Sequence, residues 1–315
     1  MSFTRTFSSL VFASFVCGSL AFAAAPKSSG PNPGFYHFPL GSYDVTTISD
    51  GFIRLPATKQ LAGLPEKSIG TILKKNFLPD EVETSINTFL VNTGSKLVLI
   101  DTGAGKIMGP TGGHLLENLK AAGYQPEQID AVLITHVHPD HIGGLTVDGK
   151  MTFPKATLFV DQKDIDLVTD PQSVQKAPKD LKPFYDYAAA NITPYQKAGR
   201  LSAFTGGEAI VPGVHSLPTY GHTPGHNGYV IESEGQKLAL VGDLLHVGSV
   251  QFESPSVGMA FDADKTASGK SRLNTLQEAA KSGEWIGAAH LAFPGVGHVR
   301  KEKTGFSFVP ANYQH

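Results

Sequence analysis

The chain has 315 residues, 41% apolar and 17% charged, with a formal charge of −2. That balance suits a soluble globular protein with a full core. A near-neutral charge without a basic run excludes an electrostatic footprint for nucleic acid and leaves a small molecule as the default partner.

In chain order, the first element is an N-terminal leader. A basic start (Met1 to Arg5), the apolar run "LVFASFVCGSLA" and the small-residue end "AFA" predict a secretory signal peptide over residues 1–23, cut after Ala23. The run falls short of the roughly 20 residues that a spanning helix needs, and no later segment approaches that length, so no membrane association is expected. The only cysteine, Cys17, lies inside this signal. The mature chain, residues 24–315, is then expected to be exported, periplasmic or secreted, without disulfides, thiolate ligands or a cysteine nucleophile.

After a Pro/Gly/Ser-rich stretch, "YDVTTISDGFIRL" and "TSINTFLVNTGSKLVLIDTG" read as strands, the second broken by a turn at Asn92 to Ser95. "GGHLLENLKAAG" has helical spacing, with Leu115, Leu116 and Leu119 on one face and Gly123 as the stop. "AVLITH" is a continuous apolar and β-branched run that predicts a buried strand ending at His136. The polar, Pro-broken segment from Asp161 to Gly199 predicts mixed helix and loop lying over the core as a lid or pocket wall. In the second half "HSLPTYGH", "GYVIES" and "KLALVGD" read as strands, "SRLNTLQEAAKSG" as a helix with Leu273, Leu276 and Ala280 inward, and "WIGAAH" as a strand with Trp285 in the core. The halves resemble each other in order but not in sequence, and no linker divides them.

The segment "ITHVHPDHIGGL" gathers His136, His138, Asp140 and His141 where a strand would give way to a loop and a helical turn. Alternation points His136 and His138 the same way, and Pro139 is tolerated in the first turn of the helix that carries Asp140 and His141. Imidazoles and a carboxylate suit zinc, iron, manganese or cobalt. One lone histidine would read as incidental surface polarity, but four such groups in six positions reverse that balance. Complementary groups end later strands: His222 in "YGHTPGHNG", Asp243 in "KLALVGD" and His290 in "WIGAAH".

This succession of His-x-His-x-Asp-His, Gly-His-Thr-Pro-Gly-His, Gly-Asp and a late histidine resembles the metallo-β-lactamase superfamily. "DQKDIDL", "VQFESPSV", "HLAFPGVGHVR" and "FVPANY" further resemble the methyl parathion hydrolase group and its lactone- and ester-hydrolysing relatives. The resemblance implies an α/β fold, the four-layer αββα sandwich, with two divalent metals, zinc foremost and manganese, cobalt or iron as alternatives. It implies one metal on His136, His138 and His222, a second on Asp140, His141 and His290, and Asp243 bridging both. Asp101 in "VLIDTG" resembles the acid that accepts the free ring N–H of a ligand histidine. His226 is expected to brace its loop, and His37, His114, His215 and His298 to be structural or surface groups.

Two metals about 3.5–4 Å apart would share a hydroxide nucleophile and polarise the oxygen under attack. Asp140 or Asp243 could relay the leaving-group proton, although metal-bound carboxylates are poor acids. His246 follows the bridging position by three residues, where homoserine-lactone hydrolases carry tyrosine and organophosphate hydrolases an apolar residue. A histidine there could donate to a lactone or ester oxygen; the bland alternative is a pocket-rim residue without a role. The family pattern implies a pocket lined by Met108, Val168, Phe184, Tyr185 and His246, with Met259 and Phe261 opposite. The expectation is a lactonase or arylesterase with phosphotriester cleavage as a side activity. The alternatives are a primary organophosphate hydrolase and an exported metal-binding protein without turnover. A homodimer is compatible with this reading.

Overall fold

The computed structural model describes Met1, residues 32–179 and residues 181–313. The chain divides into two units, Met1–Asn32 and Pro33–His315, and every helix and strand among the described residues lies in the second. The expected signal peptide falls outside the described residues.

Two seven-stranded sheets form the centre, each with its strands in chain order. The first holds β1 (Phe35–Leu40), β2 (Tyr43–Pro56), β3 (Glu81–Asn92), β4 (Leu97–Ile100), β5 (Ala131–Leu133), β6 (Thr157–Asp161) and β7 (Leu201–Phe204). The second holds β8 (Ala209–Val211), β9 (Val214–Pro218), β10 (Asn227–Ser233), β11 (Gln236–Leu240), β12 (Trp285–Gly287), β13 (Val296–Lys301) and β14 (Phe306–Pro310). Each begins with antiparallel hairpins. The first turns parallel from β4 to β7, and the second has one parallel pair, β11 with β12. The expected recurrence of order between the halves is therefore physical.

Alternation along the strands explains the layers. Val98, Ile100, Leu133, Leu238 and Leu240 face one shared core between the sheets, together with Val91, Tyr229, Ile231 and Val296. Their neighbours Leu99 and Val132 face outward onto Leu115 and Leu119 of the Leu115–Ala121 helix and Ile192 and Tyr195 of the Lys182–Lys197 helix. On the other side Ala239, Val241 and Ile286 face Leu276 and Ala279 of the Lys265–Ser282 helix. Strands buried on both faces need apolar residues at successive positions, which is the run-like pattern that the sequence shows. The result is the expected αββα sandwich.

Four local expectations change. The strand in "AVLITH" stops at Leu133, so His136 stands on an extended loop beyond the strand. The 161–199 segment is largely helical, and its Lys182–Lys197 helix puts Ala188, Ile192 and Tyr195 into the core, so this part is a structural layer and not a lid. In the Lys265–Ser282 helix the inward face uses Leu276 and Ala279, while Leu273 is exposed. Trp285 is half-buried, its ring against His298 and Phe38.

Candidate metal centre

All the implied ligands lie at one edge of the sandwich, on loops that leave strand ends of both sheets. From the first sheet, the loop after β5 delivers His136 and His138, and the Pro139–Ile142 turn, with Pro139 at its first position, delivers Asp140 and His141. From the second, His222 lies between β9 and β10, Asp243 follows β11 and His290 follows β12. Three overlapping donor sets form among the described residues: His136, His138, His222 and Asp243; Asp140, His141 and His290; and Asp243, His246 and His290, the atoms of each lying within 4.8 Å of one another. Asp243 joins the first two, with Oδ2 3.5 Å from His136 Nε2 and 3.3 Å from His222 Nε2, and Oδ1 3.1 Å from His141 Nε2 and 3.2 Å from His290 Nε2.

Hydrogen bonds behind the rings fix which nitrogen faces inward. Asp101 takes the N–H and the hydroxyl of Thr135 (both 2.8 Å) and His141 Nδ1 (2.8 Å). A carboxylate only accepts, so His141 Nδ1 is the donor and Nε2 is left for the centre. The Thr135 hydroxyl spends its proton on Asp101, so His136 Nδ1 must donate to Thr135 Oγ1 (3.0 Å). His222 Nδ1 donates to Asp262 (2.7 Å), and His290 Nδ1 to the Ser85 carbonyl (2.7 Å). Four Nε2 atoms are thus presented inward by partners that hold ring orientation.

These residues fit a pair of cations. His138 Nδ1 lies 2.9 Å from His136 Nε2 and 3.0 Å from His222 Nε2, so it is crowded by two nitrogens whose rings already donate through Nδ1. His141 Nε2 and Asp243 Oδ1 are buried and without a hydrogen-bond partner although they lie close together. Buried polar atoms are costly to leave unpaired, and atoms aimed at a common point beside one another are what a shared ion satisfies.

Electrostatics separates the first two sets. Burial pushes His138 down to about 3, and holds His136 well below the usual imidazole range, so both are neutral, the form that binds metal. At His290 burial opposes the charge, yet Asp243 and Asp140 outweigh it and raise the ring to about 10. His141 is raised in the same way, against burial, by Asp243, Asp140 and Asp101. Positive charge is thus favoured between the two carboxylates, whether a proton or a cation carries it.

The remaining predicted site residues fall in different places. His246 is buried, stacked on His290 with ring centroids 5.1 Å apart, and its Nε2 lies 3.0 Å from Asp243 Oδ2 while Nδ1 has no partner. Burial lowers it to about 4, so it is neutral. Phe261, 42% exposed, packs its ring on His138, His222 and His246 at the mouth. Val168 and Met259 are core residues, 3% and 0% exposed. Met108 and Tyr185 are half-buried and Phe184 is exposed, and none of the three stacks on a ligand histidine. His226 braces the bridge: its Nε2 accepts the Asp243 N–H (3.0 Å), and Nδ1 meets Thr219 Oγ1 (2.9 Å).

Two features lie outside the sequence reading. Asp262 orients His222, although nothing in "FDAD" marks that aspartate in advance. A cavity of about 860 Å³ adjoins His246 and His290, walled by Leu78, Phe252, Phe293 and Phe308. Three of those walls belong to "VQFESPSV", "HLAFPGVGHVR" and "FVPANY", so the motifs carried a signal for it.

The sandwich and this edge of histidines and aspartates define the class: the chain belongs to the metallo-beta-lactamase superfamily, whose sequence profile matches residues 82–290. Among solved structures, the hydrolase AbOPH of the beta lactamase superfamily is similar, with a TM-score of 0.86 and 34% identity over 91% of this chain and 100% of that one. AidC, a dizinc quorum-quenching lactonase in complex with an N-acylated homoserine product, has a TM-score of 0.81 and 28% identity over 90% of this chain and 99% of its own. An N-acyl homoserine lactonase from Bacillus sp is 26% identical over 163 residues, 52% of this chain and 57% of that protein. The chain thus spans a little over half the length of the curated relatives it matches.

Proposed function

We propose that the protein is a binuclear metal-dependent hydrolase of lactones and aryl esters, with phosphotriester cleavage as a side activity. The observation that carries this reading is the bridged pair of donor sets. His136, His138, His222 and Asp243 would hold one ion, and Asp140, His141, His290 and Asp243 the other. When bound, such a pair supplies a water activated near neutral pH and a Lewis acid for the oxygen of the attacked group. Zinc fits the nitrogen-rich set best, and the likeness to a dizinc lactonase supports it.

The chain's own residues do the rest. Neutral His246 has Nε2 3.0 Å from Asp243 Oδ2 and Nδ1 without a partner; once that carboxylate serves as a metal ligand, the His246 N–H is released to donate to an oxygen gaining negative charge. Its ring, stacked on His290 and edge-on to Phe261, is held by packing on both sides. Phe261 offers an apolar face at the mouth for a substrate ring. Asp140, with its side chain 12% exposed, is the carboxylate of the centre most open to solvent; against burial, His141 and His290 hold it well below the usual carboxylate range, so it stays ionised as a ligand and the leaving alkoxide takes its proton from solvent. Likeness to homoserine lactonases supports a lactone over a phosphotriester as the main substrate.

The test is hydrolysis of dihydrocoumarin, a p-nitrophenyl ester, an acyl-homoserine lactone and methyl paraoxon by metal-analysed protein and by His246→Leu. The expected result is faster turnover of lactone and ester. In the variant, kcat/KM on them should drop about 100-fold, the cost of removing one donor to a developing oxyanion. Preference for the phosphotriester in the unaltered protein would make it an organophosphate hydrolase instead. Stoichiometric metal with no turnover of any activated ester would leave a metal-binding protein.

A further inference from the structure

The motif Asp161-Gln162-Lys163-Asp164 contains a buried carboxylate that the chemistry above does not use. Asp164 stands in the first turn of the Gln162–Thr169 helix and is fully buried. Its Oδ2 accepts the Val137 N–H (3.1 Å) and the Thr223 hydroxyl (2.8 Å), and its Oδ1 accepts the Gly225 N–H (2.7 Å). Val137 separates His136 from His138, Thr223 follows His222 directly and Gly225 stands two residues further on. One carboxylate therefore grips both segments that supply the three histidines of the first donor set.

We infer that Asp164 is a positioning residue for that set, fixing the His136–His138 loop of one sheet against the His222 loop of the other. The inference rests on the two-metal reading of the centre. All three partners are donors, so only an ionised carboxylate satisfies them together, and an amide would turn an NH₂ toward one of them. The approach leaves no slack: a Cβ on Gly225 would lie 2.7 Å from Asp164 Oδ1 and from its backbone nitrogen. A few tenths of an ångström of drift in either loop would spread the ring nitrogens of His136, His138 and His222, now 2.9 and 3.0 Å apart through His138. A sheet-to-sheet separation fixed this way is set before any ion arrives.

The test is zinc affinity of the full chain, by competition with a chromophoric chelator, for the unaltered protein, Asp164→Asn, Thr223→Val, His222→Ala and His290→Ala. The last two identify which binding step belongs to which set. Asp164→Asn should weaken the step that His222→Ala abolishes, by about 10–100-fold as for partners behind metal ligands, and leave the His290 step unchanged. Should Asp164→Asn fail to fold, Thr223→Val decides, because it deletes one donor and keeps the carboxylate. It should weaken the same step by about tenfold. Unchanged affinity at both steps in the folded variants, with only a lower unfolding midpoint, would reduce Asp164 to a structural staple and overturn the inference. If the unaltered protein binds fewer than two ions, the two-metal reading fails and takes this inference with it.

Discussion

At Asp101 the backbone φ is +60°, a conformation that non-glycine residues seldom adopt, and the residue sits directly after β4, where it collects three hydrogen bonds. Strain of that kind persists where surroundings over-determine it, here by fixing the tautomer of His141. Asp262 does the same for His222 from an ordinary-looking turn, and its carboxylate also accepts the Met259 N–H (3.0 Å). Removing the charge while keeping an acceptor oxygen separates the two contributions. Asp262→Ala should weaken zinc binding about 10–100-fold, whereas Asp262→Asn, which can still accept from Nδ1, should lose markedly less. Equal losses in the two variants would assign the role to charge alone. Asp101 was legible because it ends an apolar strand in a recognisable "DTG"; Asp262 was not, because its link to His222 spans 40 positions and exists only after folding.

The two glycines that close "ITHVHPDHIGGL" belong to the element scale, since they let the His-bearing turn press against the loop after β4. A Cβ on Gly143 would overlap the Ala104 carbonyl, and one on Gly144 the Thr102 carbonyl, both rigid backbone. Gly143→Ala should therefore destabilise the fold by about 1–3 kcal/mol, as overpacking does, read as a lower urea midpoint at unchanged m. No loss would mean that the loops yield. Arg272, in the middle of the Lys265–Ser282 helix, is wholly buried and donates to the Leu244 and Pro255 carbonyls and to Ser268 Oγ. It ties the helix to the chain just after Asp243. Arg272→Met keeps much of the apolar stem but orphans those carbonyls, at about 1–3 kcal/mol for each group left unpaired, so a fall in the unfolding midpoint is expected. The 161–199 segment shows why element reading fails where it does: polarity and proline suggested a cover, yet the Lys182–Lys197 helix keeps a narrow buried stripe of Ala188, Ile192 and Tyr195. Its exposed face outnumbers that stripe in the sequence.

For the whole molecule, ions held at the candidate metal centre would clasp the two sheets, because His136, His138, Asp140 and His141 come from one and His222, Asp243 and His290 from the other. Ions bound only to the folded form should raise stability by about 4 kcal/mol at a thousandfold excess over Kd, so chelation should lower the melting temperature. The pH dependence of that gain has a definite sign. His290 is raised by Asp243 and Asp140 to about 10, above its ordinary 6.5, once metal is absent. A histidine raised on folding adds stability that is complete below 6.5 and is lost as pH climbs through about 10. The metal-free protein should therefore weaken steadily from about pH 7 to about pH 9. With metal bound, that proton is already displaced, so the same stretch of pH should leave stability nearly level, and the gain from metal should widen as pH rises. Urea unfolding with and without chelator across this range measures the difference directly. Parallel curves would show that no proton is exchanged for metal, and that the two carboxylates of the empty centre are balanced by something other than His290 and His141.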